Sequence, residues 1–113
     1  MKNRPKPYRV ITDNEVGKYA EGHSTAESEV VTKLIQGSDE ELDLIDMLSG
    51  PLVGNLLQIL VQLSGAKNCL KIGTFTGYSA IKMAEFIAAG GRIDTIEMNI
   101  RYQKIAQENF QKY

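Results

Sequence analysis

The sequence predicts an α/β fold in which N-terminal helices precede a parallel βαβα unit. Two short apolar segments, residues 69–72 and 92–97, have the length and composition of strands. Helical apolar spacing precedes, separates and follows them, and the order α, β, α, β, α from Pro51 onward favours a parallel sheet with right-handed crossovers. Gly73 and Gly77 mark a tight turn between the first strand and the next helix.

Length and composition limit the chain to one globular domain. It has 113 residues, of which 42% are hydrophobic and 24% charged. The net charge of −1 gives no electrostatic footprint for nucleic acid or an anionic membrane surface. No apolar run reaches the roughly 20 residues of a membrane span, and no signal peptide is evident. We therefore expect a cytoplasmic protein without nucleic-acid or membrane partners.

Cysteine and histidine usage argues against a disulfide and a zinc site. The single Cys69 lies inside the first predicted strand, which favours a reduced, packed thiol. One Cys and one His cannot supply a zinc ligand set. His23 follows a short predicted helix, residues 14–21, and is interpreted as a loop or capping residue, with a functional acid or base as the alternative.

The N-terminal part divides into an irregular arm and a helical cap. Residues 1–13 are rich in Pro and basic residues, so they are predicted to be irregular. Ser24 with Glu27 matches a capping box, which predicts a second helix over residues 25–36 that ends at Gly37. Together, residues 14–50 are predicted to form the helical cap.

An acidic helix is predicted after Gly37. Ser38 or Asp39 can cap it, and its apolar positions are Leu42, Leu44, Ile45 and Leu48. Ser49 and Gly50 then interrupt the chain, and Pro51 suits the first turn of the next helix.

The helix that follows Pro51 is almost continuously apolar. Over residues 52–63 the polar or small exceptions are Gly54, Asn55, Gln58 and Gln62. Such a wide stripe predicts a helix buried around much of its circumference. Further helices are predicted over residues 78–89, ending at Gly90 and Gly91, and over residues 100–113.

Residues 73–77, here named the glycine loop, carry the chemistry of the chain. Gly73 and Gly77 permit a tight turn and close approach of a ligand to the backbone, and Ser79 adds a hydroxyl in the first helical turn. Glu97 ends the second strand 24 residues after Gly73. In doubly wound folds this strand end lies beside the first loop, so a carboxylate there can accept hydrogen bonds from both ribose hydroxyls. The pair predicts an adenosine-type ligand.

A dinucleotide fingerprint is the rival interpretation. G-x-G-x-x-G starting at Gly73 would need glycine where Phe75 stands, and its last glycine is replaced by Tyr78. NAD is therefore disfavoured.

Residues 70–80, with Gly-Thr-Phe-Thr-Gly-Tyr-Ser at their centre, resemble motif I of S-adenosylmethionine (SAM)-dependent O-methyltransferases of the caffeoyl-CoA and catechol type. Residues 19–27, 47–57 and 93–99 fall in register, so about residues 10–113 resemble the N-terminal portion of that family. The resemblance implies a Rossmann-like fold, of which residues 51–113 are the first half. It implies a SAM site in which Gly73, Phe75 and Ser79 line the methionine part and Glu97 holds the ribose. The full set of implied cofactor-binding residues is Ser49, Gly73, Phe75, Gly77, Tyr78, Ser79 and Glu97.

Lys71 departs from this family, which usually has an acidic residue at that position. SAM carries an ammonium and a sulfonium, so a nearby lysine repels it and a carboxylate attracts it. We hypothesise that Lys71→Glu strengthens cofactor binding. The alternative is that Lys71 extends into water along the strand and never faces the pocket.

The second departure is the stop at Tyr113. The resemblance implies a divalent metal and a lysine general base, but the matching family residues lie on later strands, so no catalytic residue and no metal ligand is assigned here. A two-stranded sheet with a free edge on its first strand is marginal in isolation. We expect either a truncated fragment or a chain that self-associates into a homo-oligomer.

The leading function is the N-terminal, cofactor-binding part of a SAM-dependent O-methyltransferase acting on a small hydroxylated or catechol-like acceptor. The alternative is a catalytically inactive fragment that serves as a self-associating or interaction module. Binding of SAM discriminates between the two functions.

Overall fold

The computed structural model describes residues 11–41 and 50–113, with the backbone alone for residues 38–41. In chain order the described elements are α1 (Asn14–Gly22), α2 (Glu29–Glu41), α3 (Gly50–Ser64), β1 (Asn68–Ile72), α4 (Tyr78–Ala84), β2 (Arg92–Ile96) and α5 (Ile100–Lys112). The two strands are parallel neighbours. The predicted α/β class, and the helix and strand order from Pro51 onward, are confirmed.

The start of α2 differs from the predicted capping box of Ser24 and Glu27. The helix begins at Glu29, and the Oγ atom of Ser28 accepts the N–H of Val31 at 3.2 Å, as an N-cap residue does. Ser24 instead donates its hydroxyl to the carbonyl of Ala20 at 2.6 Å. The capping-box prediction is wrong because both of its side chains bind elsewhere.

The predicted helix end at Gly37 is also wrong, since α2 continues to Glu41. Residues 38–41 therefore extend α2 and do not begin the predicted acidic helix. The rest of that predicted helix, residues 42–48, lies outside the described residues, as do Ser49 and residues 1–10 of the predicted arm.

Helix α3 buries a narrow face, contrary to the prediction of a helix buried around much of its circumference. Its buried residues are Gly54, Gln58 and Val61, which lie three or four positions apart on one side. The opposite side carries six exposed apolar residues, here named the α3 stripe: Leu52, Val53, Leu56, Ile59, Leu60 and Leu63. Most residues of α3 are apolar, as the sequence shows, but the described residues leave the α3 stripe uncovered.

The sheet is likewise covered on one face. Ile72 of β1 is paired with Ile96 of β2, so the two strands end together. Half-buried and exposed residues alternate along both strands, as expected for a pleated strand. The exposed face includes Leu70, Ile72 and Ile96, with 64%, 76% and 57% of their surface accessible. The described residues therefore cover the first strand on one face only.

Helix α4 ends at Ala84 and does not continue to residue 89 as predicted. The N–H of Gly91 donates to the carbonyl of Ala88 at 2.8 Å, and the N–H of Arg92 donates to Lys67 at 2.7 Å. This turn brings the chain back to pair with β1, so the length of α4 is set by the sheet. The described core is a cluster of Val31, Leu34 and Tyr78, with Ile35 and Ile81 against it.

Candidate functional site

The glycine loop lies at the carboxyl ends of both strands. The N–H of Gly73 donates to the carbonyl of Ile96 at 2.8 Å, which extends the strand pairing by one hydrogen bond. Glu97 directly follows Ile96, so the carboxylate and the loop are brought together. This is the juxtaposition that the spacing of Gly73 and Glu97 predicts.

The carboxylate of Glu97 accepts hydrogen bonds from the loop backbone. Its Oε1 accepts the N–H groups of Phe75 at 2.9 Å and Thr74 at 3.2 Å, and its Oε2 accepts the N–H of Asn99 at 3.0 Å. The backbone N–H groups of Asn99 and then Phe75 lower the pKa of Glu97, against a smaller opposing effect of desolvation. Glu97 is therefore ionised at neutral pH, and its hydrogen bonds to Thr74 and Phe75 hold the loop backbone in place.

Counting lone pairs shows what Glu97 has left for a ligand. An ionised carboxylate offers about four acceptor positions, two on each oxygen. Both positions on Oε1 are taken by Thr74 and Phe75, and Asn99 takes one on Oε2. The backbone N–H of Met98 also acts on this carboxylate and lowers its pKa, so the neighbouring backbone leaves Glu97 little acceptor capacity for a ligand. A carboxylate free of backbone contacts could accept both ribose hydroxyls.

Phe75 adopts a backbone conformation that is unusual for a residue with a side chain. Its φ is 51°, in the left-handed region. The ring is buried and packs edge-on against Tyr102, with centroids 4.9 Å apart. Burial of the ring and the hydrogen bond to Glu97 hold this conformation, which leaves the Phe75 side chain turned into the protein.

The second half of the glycine loop is held by α5. The side-chain amide of Asn109 donates to the carbonyl of Thr76 at 2.8 Å. Gly77 has a φ of 89°, and its N–H donates to the carbonyl of Thr74 at 2.9 Å. A Cβ on Gly77 would stand 2.5 Å from the ring of Phe110, so a side chain here would have to displace that ring as well as adopt a strained conformation.

Gly73 contrasts with Gly77. It shares the positive φ, at 90°, but nothing lies within 4 Å of an ideal Cβ there. Gly73 is exposed, so its backbone faces open space at the ends of the strands. This open side of the loop is where a ligand could approach the backbone.

Tyr78 and Ser79 begin α4 and are both buried. The hydroxyl of Tyr78 donates to Oε1 of Glu27, so its ring points away from the open side of the loop. Desolvation, followed by this hydrogen bond, raises the pKa of Tyr78 well above its usual range. The tyrosine is neutral and acts as a hydrogen-bond donor.

Lys71 places its ammonium group at the loop. Its Nζ donates to the carbonyl of Gly73 at 3.0 Å and lies 3.4 Å from that of Ile72. The side chain therefore runs toward the ligand end of the strand, where its charge can act on a bound cofactor, and not away along the strand.

A cavity of about 440 Å³ lies beside this site, between the end of β2 and α5. Its lining residues are Thr74, Thr95, Ile96, Glu97, Gln103, Ala106, Gln107 and Phe110. Gly73, Phe75 and Ser79 are not among them, so the cavity flanks the loop and does not cover its open side. Two of these lining residues, Thr74 and Thr95, are hydrogen-bonded to each other through their hydroxyls at 2.6 Å.

The structure brings together six of the seven predicted site residues, and Ser49 lies outside the described part. Sequence reasoning missed Asn99, Asn109, Phe110 and Tyr102. Asn99 could have been found, because it precedes the last helix as an N-cap residue and accepts the N–H of Arg101 at 3.0 Å. The other three carry no local signal, since they meet the loop only through the packing of α5.

Neither a metal cluster nor a membrane span is found among residues 11–41 and 50–113. No group of three or more His, Cys, Asp or Glu side chains there could hold a metal ion. The donor set of the described site, one carboxylate already bound to three N–H groups, does not fit a divalent metal. No helix in the same ranges is long and apolar enough to cross a membrane.

Comparison with known proteins matches a sequence model of the O-methyltransferase family to residues 21–113. The chain is 42% identical over 62 residues to a catechol O-methyltransferase of Niastella koreensis, which covers 55% of this chain and 28% of that protein. A crystallised O-methyltransferase from Bacillus cereus, in complex with S-adenosylhomocysteine (SAH), superposes with a TM-score of 0.76 at 31% identity. That match covers 87% of this chain and 44% of the other.

A second solved structure agrees with the first. The O-methyltransferase TomG from Streptomyces achromogenes, in complex with SAM, superposes with a TM-score of 0.75 at 33% identity, over 88% of this chain and 44% of the other. The matched part thus covers less than half the length of each of these three relatives. All three are methyltransferases, and none supports the alternative of an interaction module.

Proposed function

Because this chain belongs to the O-methyltransferase family, whose model matches residues 21–113, we propose that it forms the SAM-binding part of such an enzyme. One observation carries the proposal: the open side of the glycine loop lies next to the ionised Glu97 at the shared end of two parallel strands. The division into a helical cap, residues 14–50, and a cofactor-binding half, residues 51–113, stays a prediction from the sequence. Solved relatives that contain SAH or SAM support this assignment.

The residues of the site divide the cofactor between them. The methionine part lies against the backbone of Gly73, where an added Cβ would occupy free space, and near Ser79. Phe75, Gly77 and Tyr78 contribute backbone and loop shape, because the two aromatic side chains point into the protein. Ser49, which lies outside the described residues, stays a prediction from the resemblance.

Glu97 holds the ribose through Oε2, which accepts one N–H, that of Asn99, in the described hydrogen bonds, whereas Oε1 accepts two. Its bonds to the backbone keep the loop in place. The bound cofactor supplies a methyl group on a positively charged sulfur. The described residues of this chain bind and orient it, and none of them is assigned to proton transfer.

The acceptor we propose is a small hydroxylated or catechol-like molecule. The support is the similarity to the catechol O-methyltransferase of Niastella koreensis, 42% identical over 62 residues. The described residues contain no metal ligand set, so no step through a metal is assigned to this chain. A cytoplasmic location remains a prediction from the sequence.

We further propose that the chain by itself self-associates through the α3 stripe. Covering a leucine side chain stabilises a protein by roughly 1.5–3 kcal/mol, and six exposed apolar residues lie on this one side of α3. The partner we propose is a second copy of the chain, because any solution of the chain contains further copies that carry the same apolar stripe. Light scattering over a range of concentrations should show a dimer or larger species, and Leu56→Lys should shift it toward monomer. Ile11→Lys, at an exposed apolar residue outside the stripe, is the control.

Titration calorimetry with SAH, the demethylated product of SAM, tests cofactor binding directly. We expect saturable binding to the unmodified chain and much weaker binding to Glu97→Ala. NAD serves as the competing ligand, since the dinucleotide interpretation predicts the reverse preference. A folded chain that binds neither SAM nor SAH would contradict the proposed function.

A further inference from the structure

A buried polar cluster lies on the side of α4 that faces away from the open loop. The ammonium of Lys82, with 3% of its side chain exposed, donates to Oε2 of Glu27 at 2.8 Å and to Oδ1 of Asn55 at 2.8 Å. Oε1 of Glu27 accepts the hydroxyl of Tyr78. The amide of Asn55 donates to the carbonyl of Thr25 at 3.0 Å. We name Glu27, Asn55, Tyr78 and Lys82 the Glu27 cluster.

The helices make room for this cluster. A Cβ on Gly54 would stand 2.7 Å from Cε of Lys82 and 3.2 Å from the hydroxyl of Tyr78. Gln58 donates its amide to the carbonyl of Lys82 at 2.7 Å, so α3 holds the backbone of α4 as well as its side chain. Glycine at position 54 lets the lysine stem lie against α3.

Stability alone is a weak reason for such a cluster. A buried ion pair loses the hydration of two charges, and well-packed apolar residues of the same volume are often as stable or more so. What a buried pair with matched hydrogen bonds supplies is a fixed geometry. The geometry fixed here is that of α4 relative to residues 23–28.

The position of Tyr78 connects the cluster to the loop. Tyr78 is the first residue of α4 and directly follows Gly77, while Lys82 lies one turn later on the same face. The two oxygens of Glu27 bind these two side chains separately. A carboxylate that is hydrogen-bonded to two side chains on one face of a helix sets the rotation of the helix about its axis.

The loop is thus held by a carboxylate at each end. Glu97 binds the N–H groups of Thr74 and Phe75 at its start, and Glu27 fixes the helix that continues from its end. Glu27 lies in the segment between α1 and α2, outside any helix or strand, and touches neither the open side of the loop nor Glu97 through a hydrogen bond that the structure shows. Its effect on a ligand must pass through α4.

We propose that Glu27 is a positioning residue for the cofactor loop. It acts through Tyr78 and Lys82 to hold the start of α4 in the rotation that a SAM-type ligand requires. The inference rests on the proposed function for the identity of the ligand, and on the contacts of Glu27 for the order of the loop. These two parts can be measured separately.

The first measurement is amide hydrogen exchange, which needs no ligand. In Glu27→Gln, exchange of the amides of residues 74–79 should rise about tenfold or more, while amides in the middle of α5 change by less than about twofold. A uniform rise in both regions indicates global destabilisation and would overturn the positioning role. Glu29→Gln, which breaks the exposed pair of Glu29 with Lys33, is the matched control and should leave both regions unchanged.

Two further variants guard against a failure of Glu27→Gln to fold. Tyr78→Phe removes one hydrogen bond to Glu27 and keeps the ion pair, so its loop exchange should rise by a smaller factor. Glu27→Gln with Lys82→Met removes both charges together and avoids an unpaired buried ammonium. If this folded double variant keeps the loop exchange of the unmodified chain, Glu27 does not position the loop.

The second measurement is calorimetry with SAH on the same proteins. The dissociation constant should rise about fivefold or more in Glu27→Gln and stay unchanged in Glu29→Gln. If the unmodified chain does not bind SAH but its loop exchange still depends on Glu27, the proposed function fails and the positioning of the loop stands. If SAH binds equally well to the folded Glu27→Gln variant, the positioning role is wrong and the proposed function stands.

Discussion

Gly77 lies directly against the ring of Phe110, and this contact joins the glycine loop to the last helix. An ideal Cβ on Gly77 would stand 2.5 Å from Cε1 and 3.0 Å from Cζ of that ring. Gly77 also has a φ of 89°. A side chain at this position is therefore disfavoured for two independent reasons, the strained conformation and the displacement of the Phe110 ring.

Gly77→Ala should lower the free energy of unfolding by about 2–4 kcal/mol, the sum of left-handed strain and overpacking. Chemical denaturation measures it. Gly73→Ala is the matched control, because Gly73 has the same sign of φ and nothing within 4 Å of its Cβ, so only the strain of about 1–2 kcal/mol applies. If the clash contributes, adding Phe110→Ala to Gly77→Ala should restore part of the lost free energy of unfolding. No recovery in the double variant would show that the clash plays no part.

Thr76 is fully buried, and its hydroxyl has no hydrogen-bond partner in the described part of the chain. Thr76→Val keeps the shape and removes the unpaired group, so the free energy of unfolding should rise by roughly 1 kcal/mol. Thr74→Val provides the contrast, since the hydroxyl of Thr74 is paired with Thr95 at 2.6 Å and its loss should cost about 1 kcal/mol. Equal effects of both variants in thermal melts would mean that Thr76 has a partner in solution.

Glu97 should make the stability of the chain depend on acid. Backbone N–H groups, that of Asn99 foremost, hold its folded-state pKa below the ordinary value of 4.5. The unfolded chain therefore takes up the proton first, and the stabilisation is complete above about pH 4.5 and is lost as the pH falls through the lower folded-state pKa. Glu97→Gln should show a shallower loss of stability in that window than the unmodified chain.

At neutral pH, Glu97→Gln should be less stable by roughly 2 kcal/mol, because a carboxylate that accepts several N–H bonds is replaced by a group with one acceptor atom. Denaturation curves across the acid range measure both effects. Glu108→Gln, at an exposed position on α5, is the control and should follow the unmodified chain. Parallel acid profiles for Glu97→Gln and the unmodified chain would contradict this account.

Lys71→Glu should strengthen binding of SAM, because the ammonium of Lys71 lies at the loop, 3.0 Å from the carbonyl of Gly73. Reversal of one charge near a cationic ligand changes affinity by about tenfold or more at intermediate dielectric. SAM carries a sulfonium that SAH lacks, so the gain for SAM should exceed the gain for SAH. Lys67→Glu, directly before the first residue of β1 and at the opposite end of the strand from the loop, is the control. Calorimetry that shows equal or weaker SAM binding by Lys71→Glu would contradict the hypothesis.

The sequence by itself determined the local features of the fold. Pro51 at a helix start, the end of a short helix just before His23, and the glycine loop between a strand and a helix are signals carried by a few neighbouring residues. The pairing of two parallel strands followed from the element order. The proximity of Glu97 to Gly73 followed from the same rule, because parallel strands end at one edge of a sheet.

Tertiary structure decided which partner each polar side chain takes. Glu27 fits a capping box in sequence, but its carboxylate binds Tyr78 and Lys82, which lie 51 and 55 residues away. A single carboxylate cannot serve both roles, so α2 starts at Glu29 with Ser28 as its cap. The periodicity of the sequence does not indicate which partners Glu27 binds, since this depends on the packing of α4 against α3.

The same reason explains the wrong burial prediction for α3. The apolar run of α3 predicted a helix buried around much of its circumference, because hydrophobic sequence indicates what a protein covers when its packing is complete. The described residues supply cover for the Gly54 side of α3 and for one face of the sheet, and leave the α3 stripe exposed. Sequence pattern determines which surfaces avoid water, whereas only the arrangement of whole elements decides what lies against each of them.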